Sequence, residues 1–147
     1  MFTGVFNGMD VSVSALKAER QRMEITVSNL ANVHTTRTAE GGPYKRRNVV
    51  FQEELHTASK SQLDSGAGII GTGVKVAEVT TDEKPPIRVF RPEHPDADAQ
   101  GYVSFPNIES AEEMVDLISA SRSYEANSTA FKIARGMYQH ALDLGKA

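Results

Sequence analysis

Residues 2–30 read FTGVFNGMDVSVSALKAERQRMEITVSNL, and the spacing within this stretch decides how the rest of the chain is read. Phe2, Phe6, Met9, Val13, Leu16, Arg20, Met23, Val27 and Leu30 follow one another at alternating steps of four and three. Only Arg20 interrupts an otherwise apolar line. Such a line is a heptad seam, and its hydrophobic edge is satisfied only against other helices. Lys17, Glu19, Arg22 and Glu24 fall off the seam, as solvated positions should. The pattern predicts a helix from Phe2 to about Asn32. It fails there because Val33, Thr35, Thr36 and Thr38 lower helix propensity together, and Gly41-Gly42-Pro43 forbids continuation.

The far end repeats the theme. Met114, Leu117, Ser121, Tyr124, Ser128, Phe131, Arg135, Tyr138 and Leu142 form a looser line with the same steps. Ser110 followed by Glu113 reads as a capping box, each side chain meeting a free backbone N–H. Glu112, Glu113 and Asp116 place negative charge at the positive helix end. The predicted helix runs from Ser110 to about Leu144, roughly 50 Å at 1.5 Å per residue. It carries a second apolar line: Val115, Ile118, Ala126, Ala130, Ile133, Met137, Ala141 and Leu144. Two lines imply contact on two sides, one with the chain's own first helix and one with a neighbouring subunit. Polar seam positions such as Arg20 and Arg135 fix register at some cost in stability.

Between the helices the sequence changes character. Asn48-Val49-Val50-Phe51 is a short β-prone run, and Glu53–Gln62 reads as a helical turn or a linker. Val74, Val76 and Val79 alternate with polar residues, a half-buried strand signature. Pro85-Pro86 ends that strand. Ile87, Val89 and Phe90 suggest a partner, so Val74–Thr81 and Ile87–Arg91 are expected to form a hairpin. Tyr102–Phe105 adds a third short strand. The fold class is therefore α+β: long N- and C-terminal helices forming a coiled-coil or helical-bundle domain, with a small β-rich domain inserted between them. The expected division is 1–34, 35–106 and 107–147.

Composition narrows the function classes. With no cysteine, disulfides, thiol catalysis and cysteine-ligated metals are excluded. The net charge of −3 is spread without an acidic or basic half, which points away from nucleic acid and anionic membranes. No apolar run approaches the roughly 20 residues that span a bilayer. The N-terminus lacks a basic region followed by an apolar block, so no cleavable secretory signal is expected.

Several motifs invite chemistry. Gly66-Ala67-Gly68-Ile69-Ile70-Gly71 matches a dinucleotide fingerprint by letter, but that mechanism needs a strand before the glycines and a helix after them. A polar stretch precedes here and a strand follows, which favours a loop. Asp96-Ala97-Asp98 resembles the opening of a calcium loop, yet Gln100 and Asn107 stand where further oxygen ligands are required. Aspartates capping turn N–H groups are the alternative. His94 beside them suggests hydrolase chemistry, but no oriented nucleophile lies nearby, which favours a surface histidine. Lys45-Arg46-Arg47 reads as a solvated strand edge that blocks unwanted pairing or as an intersubunit contact. Too little basic area and no stacking faces accompany it for nucleic-acid binding.

Taken together, several stretches resemble one family. Ser28-Asn29-Leu30-Ala31-Asn32 with Thr35-Thr36 looks like the N-terminal signature of bacterial flagellar axial proteins, the rod and hook group. Thr35–Thr38, Gly41–Tyr44, Val49–Phe51, His94–Val103, Pro106-Asn107, Glu113–Ile118 and Tyr124–Asn127 are similar to its proximal rod subtype. His34 departs from that pattern, where related chains often carry Asn. The resemblance covers nearly the whole chain. It implies a non-enzymatic structural subunit of the basal-body rod, the periplasm-spanning drive shaft that transmits torque for motility. It also implies export by the flagellar type III apparatus without a cleaved signal. Expected partners are other copies of the chain, proximal and distal rod subunits and the rod–MS-ring junction protein; no nucleic acid, small-molecule substrate, cofactor or metal is expected. The residues expected to carry assembly are Phe2, Phe6, Met9, Val13, Leu16, Met23, Val27 and Leu30 in the first helix, and Met114, Leu117, Tyr124, Phe131, Tyr138 and Leu142 in the last. Two rival readings are a soluble coiled-coil adaptor and a hydrolase or calcium site at His94, Asp96 and Asp98.

Overall fold

The computed structural model describes residues 3–56 and 70–145. Helix α1 spans Thr3–Ala31 and helix α2 spans Ser110–Leu144. Both fall within two residues of the limits that periodicity and propensity set. Four strands lie between: β1 (Arg47–His56), β2 (Ile70–Thr81), β3 (Ile87–Phe90) and β4 (Tyr102–Phe105). The architecture is α+β, with two helices and two small two-stranded sheets among the described residues.

Strand pairing differs from the expected hairpin. β2 pairs with β1, and β3 pairs antiparallel with β4 in the register Ile87↔Phe105, Val89↔Val103. The reason lies at the Asp82–Pro86 break. The Asp82 amide donates to the Arg46 carbonyl, which keeps the end of β2 with the start of β1. Two prolines then supply no N–H to carry the ladder onward. β3 finds its partner in β4, where Val103 is almost wholly buried. Residues Glu53–His56, expected as a turn or linker, continue β1. The Gly66–Ile69 part of the glycine motif lies outside the described residues.

The chain forms two compact units. The first holds residues 1–21, 51–77 and 120–147; the second holds 22–50 and 78–119. In the first, β2 approaches α1 closely at Gly73. The Val74 amide donates to the Ser14 hydroxyl, 3.1 Å away. A Cβ at Gly73 would meet that Ser14 oxygen at 2.2 Å, and φ here is +147°, so only glycine fits. Asp10, Val13, Lys17, Gln21, Glu54 and Lys75 are among the residues lining the groove beside this contact.

In the second unit, the β3–β4 sheet is braced by the turn before β4. Asp98 accepts from the amides of Gln100 and Tyr102 and from the Arg88 guanidinium. Phe90 and Tyr102 meet edge to face at 5.3 Å. Gly101 turns with φ of +83° directly under the Phe90 ring.

Candidate functional site

A helix can bury one face in its own chain and keep another for its neighbours, and α1 does both. Among its described side chains, those buried outright are Ser12, Ala18, Thr26 and Asn29. Ala18, Thr26 and Asn29, with half-buried Arg22, share one stripe, since each residue advances about 100° around the helix. Met23, Val27 and Leu30 of the heptad seam lie roughly a third of a turn away. The side chains that α1 buries outright are thus small or polar, while most of the described apolar seam residues are covered only in part. Val27 is 49% exposed; Met9, Val13, Leu16, Met23 and Leu30 are half-buried. Phe2 lies outside the described residues, and of Phe6 only the backbone, within α1, is described. Arg20 is exposed at its seam position.

On α2 the two apolar lines separate by exposure. Leu117, Phe131 and Tyr138 of the first line are half-buried, while Met114, Tyr124 and Leu142 are exposed. The second line is open throughout: Val115 67%, Ile118 54%, Ile133 58%, Met137 57% and Leu144 80%. Ala126, Ala130 and Ala141 between them are exposed as well. Against this, the buried hydrophobic residues among those described are only Ala18, Val103, Ile108 and Ala120. Fully burying one large aliphatic side chain is worth about 1.5–3 kcal/mol. Along this second line a lone copy leaves much of that burial unused.

Beside the seam sits a polar junction that the heptad pattern does not reveal. Asn29 is 1% exposed and makes all four hydrogen bonds open to it. Its amide donates to the Arg47 carbonyl (2.9 Å) and to Glu113 Oε2 (3.0 Å). Its oxygen accepts from the Tyr44 hydroxyl (3.1 Å) and the Arg47 amide (3.0 Å). Glu113, also 1% exposed, accepts from Arg46 Nε through its other oxygen. Arg46 in turn reaches Asn48 and Asp116, and Asp116 pairs with Arg22. Burial alone would lower the Arg46 pKa; the hydrogen bond and charge of Glu113, with Glu112 and Asp116, outweigh it and hold the guanidinium above its ordinary value.

This junction corrects two expectations. Glu113 does not close a capping box with Ser110: its amide donates to the Glu109 carbonyl, and its carboxylate turns to Asn29 and Arg46. Lys45-Arg46-Arg47 is not a solvated edge: Arg46 turns in to Glu113, and Arg47 bonds the Tyr44 and Ser28 hydroxyls. Only Lys45 of the three is exposed. A polar Asn on the helix beside an apolar seam was the signal available; its partners at Arg46 and Glu113 lie too far along the chain for local patterning to name.

The His94–Asp98 loop is structural. His94 Nδ1 accepts the Asp96 amide, and its ring packs edge to face on Phe105 at 6.2 Å, so it is not a free surface histidine. Asp96 accepts from the Thr36 hydroxyl at 2.7 Å. Asp98 caps the following turn, and the amides of Tyr102 and Gln100, together with Arg88, hold its carboxyl below the ordinary value. The three side chains are committed to separate partners rather than to one reacting point. Among the described residues no helix is long and apolar enough to cross a membrane.

Comparison with known proteins follows the same layout. Residues 9–37 match the flagella basal body rod protein family, and residues 99–144 match the flagellar basal body rod FlgEFG protein C-terminal family. Each matched segment holds most of one terminal helix. The chain is 46% identical over 148 residues to the flagellar basal-body rod protein FlgC of Bacillus subtilis, covering 96% of this chain and 98% of that one. It is 40% identical to FlgC of Borreliella burgdorferi, over 95% and 96% of the two chains. Against FlgC of Salmonella typhimurium the identity is 38%, over 97% and 98%. Similarity of this extent across almost the full length places the chain among the FlgC-type flagellar basal-body rod proteins.

Proposed function

We propose that this structural, non-enzymatic rod subunit assembles by packing the exposed apolar lines of its terminal helices against neighbouring subunits, with the β region outside that helical layer. The observation that carries this reading is the open second line of α2, Val115 to Leu144, in a chain whose own core takes so few large side chains. Five large residues there are more than half exposed. Covering them contributes on the order of 5 kcal/mol before the cost of association, at about 25 cal/mol per Å2 of apolar area. The α1 seam from Phe2 to Leu30 and the α2 positions Met114, Leu117, Tyr124, Phe131, Tyr138 and Leu142 take part in the same layer. Segments 1–34 and 107–147 then form that layer, with 35–106 inserted between them.

Contacts in such a shaft join one patch to a different patch on the next copy, so they propagate instead of closing. Torque passes through many of these contacts at once. The subunit occupies the proximal part of the rod across the periplasm, reached through the type III route. Its neighbours are copies of itself, other rod subunits and the junction to the membrane ring. The buried Asn29–Glu113–Arg46 node supports this role by fixing the end of α1 against the start of α2. A polar node satisfied in only one arrangement sets register more sharply than apolar packing does.

The test is incorporation of Val27→Asp into basal bodies. The variant folds, because Val27 is half exposed in the lone chain, and it is absent from purified basal bodies. Normal incorporation with normal motility removes the α1 seam from the assembly surface.

A further inference from the structure

Five methionines and no cysteine make the thioether the only sulfur of this chain. Met1 lies outside the described residues. Of the other four, Met9 and Met23 are half-buried on α1, whereas Met114 and Met137 are 51% and 57% exposed on α2. Met114 opens the first apolar line of that helix and Met137 lies within the second. Each line thus presents one exposed methionine in the unassembled chain. Val115 and Ile118 stand exposed near Met114, and Ile133 stands one turn before Met137.

We propose that Met114 and Met137 are modification sites at which a peroxide-class oxidant switches the free subunit out of assembly, an inference that rests on the assembly reading above. The chemistry is a two-electron oxygen transfer. The thioether sulfur attacks the distal oxygen of hydrogen peroxide, the O–O bond breaks and an S–O bond forms. Sulfur is oxidised to the sulfoxide, and the departing hydroxide takes up a proton as water. Susceptibility follows exposure, and the product is a polar, chiral group in place of a flexible apolar one. A sulfoxide oxygen on a line that must become dry is an acceptor left without a donor, and such burial is unfavourable. The same group is tolerated while the helix stands in water. Oxidation therefore spares the folded subunit and blocks its docking.

The experiment treats the full-length chain with dilute hydrogen peroxide, maps sulfoxide by peptide mass spectrometry, and measures uptake by basal bodies isolated from cells lacking the subunit. Met114 and Met137 are expected to oxidise about fivefold or more faster than Met9 and Met23. Uptake is expected to fall in step, and the double variant Met114→Leu/Met137→Leu is expected to keep its uptake after the same treatment. Equal oxidation at all four positions overturns the site assignment. Selective oxidation with undiminished uptake, or equal loss of uptake in the double variant, overturns the switch. Untreated Ile133→Asp, run alongside, reports on the helix line without any oxidation: if it is taken up normally, the assembly reading itself has failed.

Discussion

At the junction the chain buries the Asn29 amide and the Glu113 carboxylate, with the Arg46 guanidinium half-buried beside them; along α2, from Val115 to Leu144, it leaves large aliphatic side chains in water. The ordinary distribution of a small folded domain is the reverse. At the junction each polar atom of Asn29 and each oxygen of Glu113 has a partner within the same chain, so burial there is complete in one copy. On the outer line of α2 the five large exposed apolar residues have no counterpart of similar area among the described core residues. The junction holds the subunit's own shape, and the open line holds what the subunit lacks.

The sharpest way to break this comparison is to place charge on each side of it. Ile133→Asp should lower incorporation into basal bodies by about a hundredfold or more, since a carboxylate buried against apolar neighbours costs several kcal/mol and each 1.4 kcal/mol is tenfold. Its thermal unfolding in the free chain should be nearly unchanged. At the junction the pattern inverts. Glu113→Ala leaves the Arg46 charge and the Asn29 amide short of partners, and should destabilise the folded chain by about 3–5 kcal/mol in urea unfolding. Glu113→Gln, which keeps an oxygen for Asn29, should cost less.

Gly136→Ala sharpens the contrast at smaller scale. A Cβ there meets nothing within 4 Å in the lone chain. Removing a helix-interior glycine should therefore stabilise α2 by up to about 1 kcal/mol, seen as raised helicity by circular dichroism. Incorporation that nonetheless falls would mean a neighbour approaches the helix at Gly136. The smallest effect expected is at Asp98. Its folded pKa is depressed, so the unfolded chain binds the extra proton on acidification. Its contribution is present above the unfolded value near 3.9 and is lost as pH falls through the folded value. Asp98→Ala should thus lower stability at neutral pH by a small amount, with the gap to the parent closing below about pH 4 in acid titrations.

How much of this was legible in the sequence depends on the range of the interaction involved. The limits of α1 and α2 follow from local signals, a run of β-branched residues after Asn32 and acidic residues at the start of α2, and those limits hold within two residues. Strand partners do not follow. The Val-rich runs at Val49, Val74 and Ile87 are equally suited to one another by composition, and the choice was made by the Asp82–Arg46 hydrogen bond and two prolines. Glu113 misled local reasoning because its position suits a capping box, yet partners 67 and 84 residues away claim both oxygens. The covered stripe of α1 was invisible to an apolar search because Ala18, Thr26 and Asn29 are small or polar. Family resemblance identified the rod class, since its motifs spread over nearly the whole chain.

Amide hydrogen exchange along residues 120–144, compared between the free subunit and intact basal bodies, tests the central point most directly. Exposed apolar lines awaiting neighbours should leave these amides exchanging rapidly in the free chain and strongly protected once assembled, because lone helices are marginal in water. Equal, strong protection in both states would contradict it, showing that the helix is already secured within a single copy.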